Sequence, residues 1–257
     1  MAVRIEPITE TSRGPIHLMI AGYRSRPCCR SIQAAKLDGA TYGVRWAAGR
    51  WTEAGASVGW MTRAAQVGVP ALRTGRVLVG VTSLATGVGG AVALGVGQFR
   101  HRYWCAQRDG MQLAAAISAI PGIDRRPIHL HGHSLGTVVI RSALPGLQAR
   151  GFRIEDVLLM GGVAPRLGWH DLADSFVGRL INLYSPKDRI LNIAPVVNRV
   201  VGTGGIESES GSPPSSDRWW RRVINHDVCG HLPSPLQPIR HHSGYWGCFS
   251  RFVVPGV

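Results

Sequence analysis

At 257 residues, with 45% hydrophobic and 17% charged side chains, the chain is long enough for one domain with a large core and too apolar for a disordered tail. Its formal net charge of +14 would suit a nucleic-acid or anionic-membrane partner. That charge is nearly all arginine scattered along the chain, with Lys36 and Lys187 the only lysines, and no recognisable nucleic-acid module accompanies it, so no nucleic-acid partner is expected.

The N-terminal segment MAVRIEPITETSRG lacks the apolar stretch of a secretory signal. Cysteines 28, 29, 105, 229 and 248 are odd in number and form no C-x-x-C pair, which reads as mostly reduced thiols and a cytoplasmic setting. From there strands alternate with helical stretches, the pattern of a mostly parallel sheet covered on both faces by helices. PIHLMIAGY (15–23) reads as a buried strand ending in a glycine-containing loop, and ATYGVRW (40–46) as a second. RPIHLHGHS (126–134) is a third, with a helix starting at Leu135. Further strands are predicted over 154–162, 178–185 and 221–228.

Between the second and third recognised strands, residues 47–125 exceed a minimal crossover and predict a helical insertion. It contains the uncharged segment 77–99, flanked by Arg73, Arg76, Arg100 and Arg102. Its length meets the criterion for a membrane helix, but a single crossing would put strands of one sheet on opposite sides of a bilayer. A helix buried in the domain, or an apolar surface making peripheral membrane contact, is the expectation. Near the other end, the Gly-, Ser- and Pro-rich stretch 202–217 reads as a mobile loop within one domain spanning 1–257.

The most specific feature is Gly132-His133-Ser134-Leu135-Gly136, a G-x-S-x-G pattern entered by an apolar strand and left by a helix. That context is what a nucleophile elbow requires, because its serine sits on a strained strand-to-helix turn and projects above the sheet. The N–H of Leu135 is the natural oxyanion donor, and the second is expected from the loop after the first recognised strand, at Gly22 or Tyr23. A serine hydroxyl needs a base, and the base an orienting acid, in the chain order Ser, acid, His. Glu155 and Asp156 precede their strand and belong at the wrong edge, whereas Asp188 follows LINLYS at the carboxyl edge. His242 in RHHSGYW is the favoured base, in a loop after the final strand, with His241 and then His231 as alternatives. His129 and His131 read as satisfied core histidines. His226, Cys229 and His231 lack a second ligand pair, so no metal is expected.

These residues resemble the α/β-hydrolase superfamily. Further pieces resemble one branch, the hydrolase-like family typified by transmembrane and coiled-coil domain proteins, long catalogued as a domain of unknown function. They are Ala21-Gly22-Tyr23, Tyr42-Gly43-Val44-Arg45-Trp46, the apolar glycine-rich region followed by Tyr103-Trp104-Cys105-Ala106, the stretch Asn182-Leu183-Tyr184-Ser185-Pro186-Lys187-Asp188, and His242-Ser243-Gly244-Tyr245. The resemblance runs from about residue 15 to 246 and implies a Ser134, Asp188, His242 triad with no cofactor, but no substrate. His131, Pro145 and the loop 202–217 depart from the pattern. The sequence thus predicts a serine hydrolase of carboxylic esters, with lipid or other apolar acyl esters suggested by 77–99 and the basic surface. The rival reading is a catalytically inactive hydrolase-fold module for binding or membrane association.

Overall fold

Short apolar runs rich in Ile, Leu and Val become the parallel strands of the sheet, as fully buried strands should. The computed structural model describes residues 3–23, 25, 27–47, 85–192, 199–208 and 218–253. Its strands are β1 (Arg4–Thr9), β2 (Ile16–Ile20), β3 (Ala40–Arg45), β4 (Ile128–His133), β5 (Ile154–Met160), β6 (Leu180–Tyr184) and β7 (Val223–Asp227). They form one seven-stranded sheet in the order β1-β3-β2-β4-β5-β6-β7. All neighbours pair in parallel except β1, which runs antiparallel to β3 at the edge. This is an α/β-hydrolase fold, with the strand-to-helix turn at the end of the central β4.

Each expected strand is present, trimmed at its ends where the chain turns away. β1 was not expected. Its RIEPIT pattern is mostly exposed and carries Pro7, which only an edge strand tolerates.

The helices are α1 (Cys29–Ala34), α2 (Ala85–Ile117), α3 (Gly136–Ala149), α4 (Arg189–Asn192), α5 (Pro238–Ser243) and α6 (Tyr245–Phe252). α2 packs along α3 on one face of the sheet. Ile16, Leu18 and Ile20 of β2 and Ile128 and Leu130 of β4 join the larger core cluster with them. Alternate residues turn to the other face, where Met19, Leu158, Met160, Ile181 and Leu183 pack with Tyr245, Trp246 and Phe249. α3 continues through Pro145, whose missing N–H falls within the helix rather than ending it.

Of the segment 77–99, residues 77–84 lie outside the described residues and 85–99 begin α2. Among the described residues no helix is long and apolar enough to cross a membrane. Of the expected mobile loop at 202–217, residues 202–208 are held by hydrogen bonds and ion pairs. Gly202 donates to the Gly162 carbonyl and accepts from Ser185 N–H, and Glu207 pairs with Arg166 and Arg199. Residues 209–217 lie outside the described residues.

Candidate active site

Ser134 occupies the tight turn between β4 and α3 with φ +54°, in the left-handed region that side-chain-bearing residues rarely adopt. Its backbone is held from both sides: its N–H donates to the Met160 carbonyl at 3.0 Å, and its carbonyl accepts from Thr137 N–H at 3.1 Å and from the Thr137 hydroxyl at 2.8 Å. The glycines of the motif are there for space. A Cβ on Gly136 would lie 2.0 Å from the Ile20 carbonyl oxygen, and one on Gly132 would lie 2.7 Å from Ile140 Cδ1. Small residues thus let α3 start directly against the end of β2.

Parallel pairing sets the remaining parts at the same carboxyl edge. Asp188 follows β6 and is fully buried. Its Oδ1 accepts from Ile190 and Leu191 N–H at 3.1 and 3.2 Å, which aims the other oxygen outward. That oxygen, Oδ2, lies 2.8 Å from His242 Nδ1. His242 Nε2 in turn lies 3.0 Å from Ser134 Oγ. A carboxylate only accepts, so the imidazole carries its proton on Nδ1 and presents a bare Nε2 to the serine hydroxyl.

The neighbouring histidine faces elsewhere. His241 is fully buried, with Nδ1 2.6 Å from the Pro233 carbonyl and Nε2 3.0 Å from Ser185 Oγ. Both residues lie in α5, not in the loop expected from RHHSGYW, because Pro238 starts a helical turn there. Successive helical residues point about 100° apart, so only one of the two can face Ser134. His231 is exposed beside Arg251, 3.0 Å from Nη1 to Nδ1, and His226 packs against Phe252.

Gly22 sits over the serine: a Cβ there would lie 2.6 Å from Ser134 Cβ and 3.1 Å from Ser134 Oγ. The loop after β2 and the first turn of α3 therefore flank one hydroxyl, with Gly22 on one side and Leu135 on the other, while Tyr23 packs partly buried against the larger core. The first turn of α3 adds the partial positive charge of a helix start.

Below this edge runs a row of histidines that the sequence reading resolved only in part. His129, His131 and His133 alternate along β4 and share a face with His17 of β2, opposite His129 in the register. His17 stacks between the other two, 4.9 Å from the His129 ring and 5.3 Å from the His131 ring. Its Nε2 donates to the Asp38 carbonyl at 2.9 Å, so its Nδ1 accepts from His131 Nε2 at 3.1 Å. His133 had no assigned role. Its Nε2 donates to the backbone carbonyl of His242 at 2.9 Å, and the two rings lie 5.0 Å apart. Burial, then the charge of His242, pushes its pKa down to about 3. His133 is thus neutral and adds no positive charge beside the imidazole that faces Ser134. Among the described residues, no group of three or more His, Cys, Asp or Glu side chains is placed to hold a metal ion.

Residues 30–210 match the family described as "Protein of unknown function (DUF726)". No curated protein matches the chain. Among solved structures, the chain is similar to YbtT, a type II thioesterase from the yersiniabactin NRPS/PKS biosynthetic pathway, at 17% identity and a TM-score of 0.33, over 94% of this chain and 99% of that one.

Proposed function

The chain belongs to this DUF726 family, and from its own side chains we propose that it is a serine hydrolase of carboxylic esters. One observation carries the reading: a serine on a left-handed strand-to-helix turn, hydrogen-bonded to an imidazole whose far nitrogen meets a buried carboxylate, at 3.0 and 2.8 Å. Ser134 Oγ attacks the ester carbonyl while His242 Nε2 takes its proton. Asp188 holds the tautomer and stabilises the imidazolium. The oxyanion is met by the N–H of Leu135 and by that of Gly22 or Tyr23. His242 returns the proton to the leaving alcohol, and water clears the acyl-enzyme by the same route. The reaction needs no cofactor.

Within the superfamily, the order of the pieces from Ala21-Gly22-Tyr23 to His242-Ser243-Gly244-Tyr245 supports the branch typified by transmembrane and coiled-coil domain proteins. An apolar acyl group is the substrate we favour. Leu236, just before the helix that carries His242, and Ile239, within it, are 76% and 47% exposed, and the net charge of +14 suits an anionic lipid surface. Peripheral membrane contact through 77–99, from a cytoplasmic location, belongs to the same proposal.

A fluorophosphonate probe tests the chemistry, and a series of p-nitrophenyl esters tests the acyl preference. Wild type is expected to be labelled, to turn over esters, and to favour longer acyl chains; Ser134→Ala is expected to lose both labelling and turnover. Equal labelling of the two proteins would remove Ser134 from its role and leave a binding module on a hydrolase fold. Turnover indifferent to chain length would remove the lipid preference alone.

A further inference from the structure

Trp46 lies just past the end of β3, outside the hydrogen-bonded Ser134, His242 and Asp188, yet it reaches the loop above the serine. Its ring is 5% exposed, and its indole N–H donates to the Ala21 carbonyl at 2.9 Å. A trans peptide is planar, with its C=O and N–H pointing opposite ways. Holding the Ala21 oxygen therefore fixes the direction of the Gly22 N–H, the backbone donor of the glycine that sits over Ser134. The next peptide is held in the same manner, since the Gly22 carbonyl accepts from Ser25 N–H at 3.3 Å and from the Ser25 hydroxyl at 3.2 Å.

Trp46 is itself secured from the insertion helix. Ala47 N–H donates to Asp109 Oδ2 at 2.7 Å, and the Ala47 carbonyl accepts from Arg102 Nη1 at 3.1 Å. Asp109 is fully buried, and Arg108 satisfies its other oxygen through Nε at 2.9 Å and Nη2 at 2.7 Å. A continuous set of bonds thus runs from α2 through Ala47 and the Trp46 indole to the Ala21–Gly22 peptide. Such a strut has a chemical use. An oxyanion donor acts only if it is aimed before the reaction, and a small misplacement of such a group loses much of the rate.

We propose that Trp46 is a positioning residue for the oxyanion loop, holding the Ala21–Gly22 peptide in the orientation that the tetrahedral intermediate requires. The assignment rests on the serine-hydrolase reading and adds to it a residue and an element, α2, that do not touch substrate.

Trp46→Phe keeps an aromatic ring and removes the N–H. We expect kcat for p-nitrophenyl butyrate to fall about ten- to a hundredfold, with KM within about twofold of wild type. The rate constant for fluorophosphonate labelling should fall in parallel, while the final labelled fraction stays that of wild type. An undiminished kcat overturns the assignment, as does a reduced labelled fraction at unchanged rate constant, which is the mark of a damaged fold. Should Trp46→Phe not fold, β-(3-benzothienyl)alanine at position 46 keeps the outline of the indole without its N–H and is read by the same criteria. Wild type that neither labels nor hydrolyses ester overturns the hydrolase reading together with this assignment. Active wild type beside a fully active position-46 variant overturns this assignment alone.

Discussion

Ser185 Oγ and His241 Nε2, 3.0 Å apart and both buried, form a second rung between the same two segments that Asp188 and His242 bridge. His241 donates its Nδ1–H to the Pro233 carbonyl, so its Nε2 accepts from the Ser185 hydroxyl and the rung has a fixed direction. Two cross-links, three residues apart in the loop after β6 and adjacent in α5, leave that helix little freedom to slide relative to the loop. The first prediction follows from that rigidity. Ser185→Ala, which empties the rung without touching Asp188 or His242, should lower kcat about tenfold with little change in KM. His241→Gln should do the same, and the double variant should be no worse than the worse single one, because both delete one interaction. Full additivity in steady-state kinetics would mean that the two residues act separately.

The Asp188 carboxylate gives the second prediction. Asp188→Asn would offer an amide where the carboxylate now stands, and an amide N–H facing His242 Nδ1 favours the tautomer with the proton on Nε2, the nitrogen that faces the serine, where it can no longer accept the hydroxyl proton. Expected is a loss of about 10³–10⁴ in kcat with the fold intact. Because Asp188 is buried and also accepts from Ile190 and Leu191, circular dichroism should accompany the kinetics. Near-wild-type turnover would strip Asp188 of its role.

What could be read before the fold was known has a physical pattern. The elbow was legible because its chemistry is local: strand, small residues and helix follow one another within a dozen positions, and each has its own propensity. Asp188 was legible through edge logic, since a residue following a parallel strand must lie at the carboxyl edge. The choice between His241 and His242 was open because both lie after the last strand, and only the helical turn begun by Pro238 separates their directions. β1 escaped notice because an exposed edge strand carrying Pro7 reads as loop. Its register against β3, and the pairing of Glu6 with Arg45 at 2.7 Å, depend on residues far along the chain. The contacts of Trp46, Asp109 and His133 are likewise long-range, and no periodicity encodes them.

The backbone of Ser134 supplies a third prediction. At φ +54° a Cβ crowds the following carbonyl, a strain of about 1 kcal/mol that glycine does not carry. Ser134→Ala and Ser134→Gly both lose the hydroxyl and its bond to His242, so their difference isolates that strain. The glycine variant should melt about 2–4 °C above the alanine variant in calorimetry, with both inactive. Equal melting temperatures would mean that the elbow stores no strain at its nucleophile.

The buried histidine row sets how the fold responds to acid. Burial, reinforced by His129, holds the His17 pKa down to about 4, and burial, then His242, holds that of His133 down to about 3. His131 is also pushed well below its ordinary value, by burial first and then by His17 and His129. An unfolded histidine titrates near 6.5, so between that value and the folded pKa the unfolded chain binds more protons than the native one. Stability from these groups is therefore complete above about pH 6.5, declines as pH falls toward 4, and stops declining only below the folded values. At pH 5 the His17 share of that loss is about 2 kcal/mol relative to pH 7. Urea unfolding at the two pH values checks this. His17→Leu should cost stability at pH 7, because the Asp38 carbonyl and the His131 N–H lose their partner. It should nonetheless shrink the drop between pH 7 and pH 5 by about 2 kcal/mol. If wild-type stability is flat across this interval, the row is not neutral and buried in solution, and the tautomers assigned to His17 and His131 fall with it.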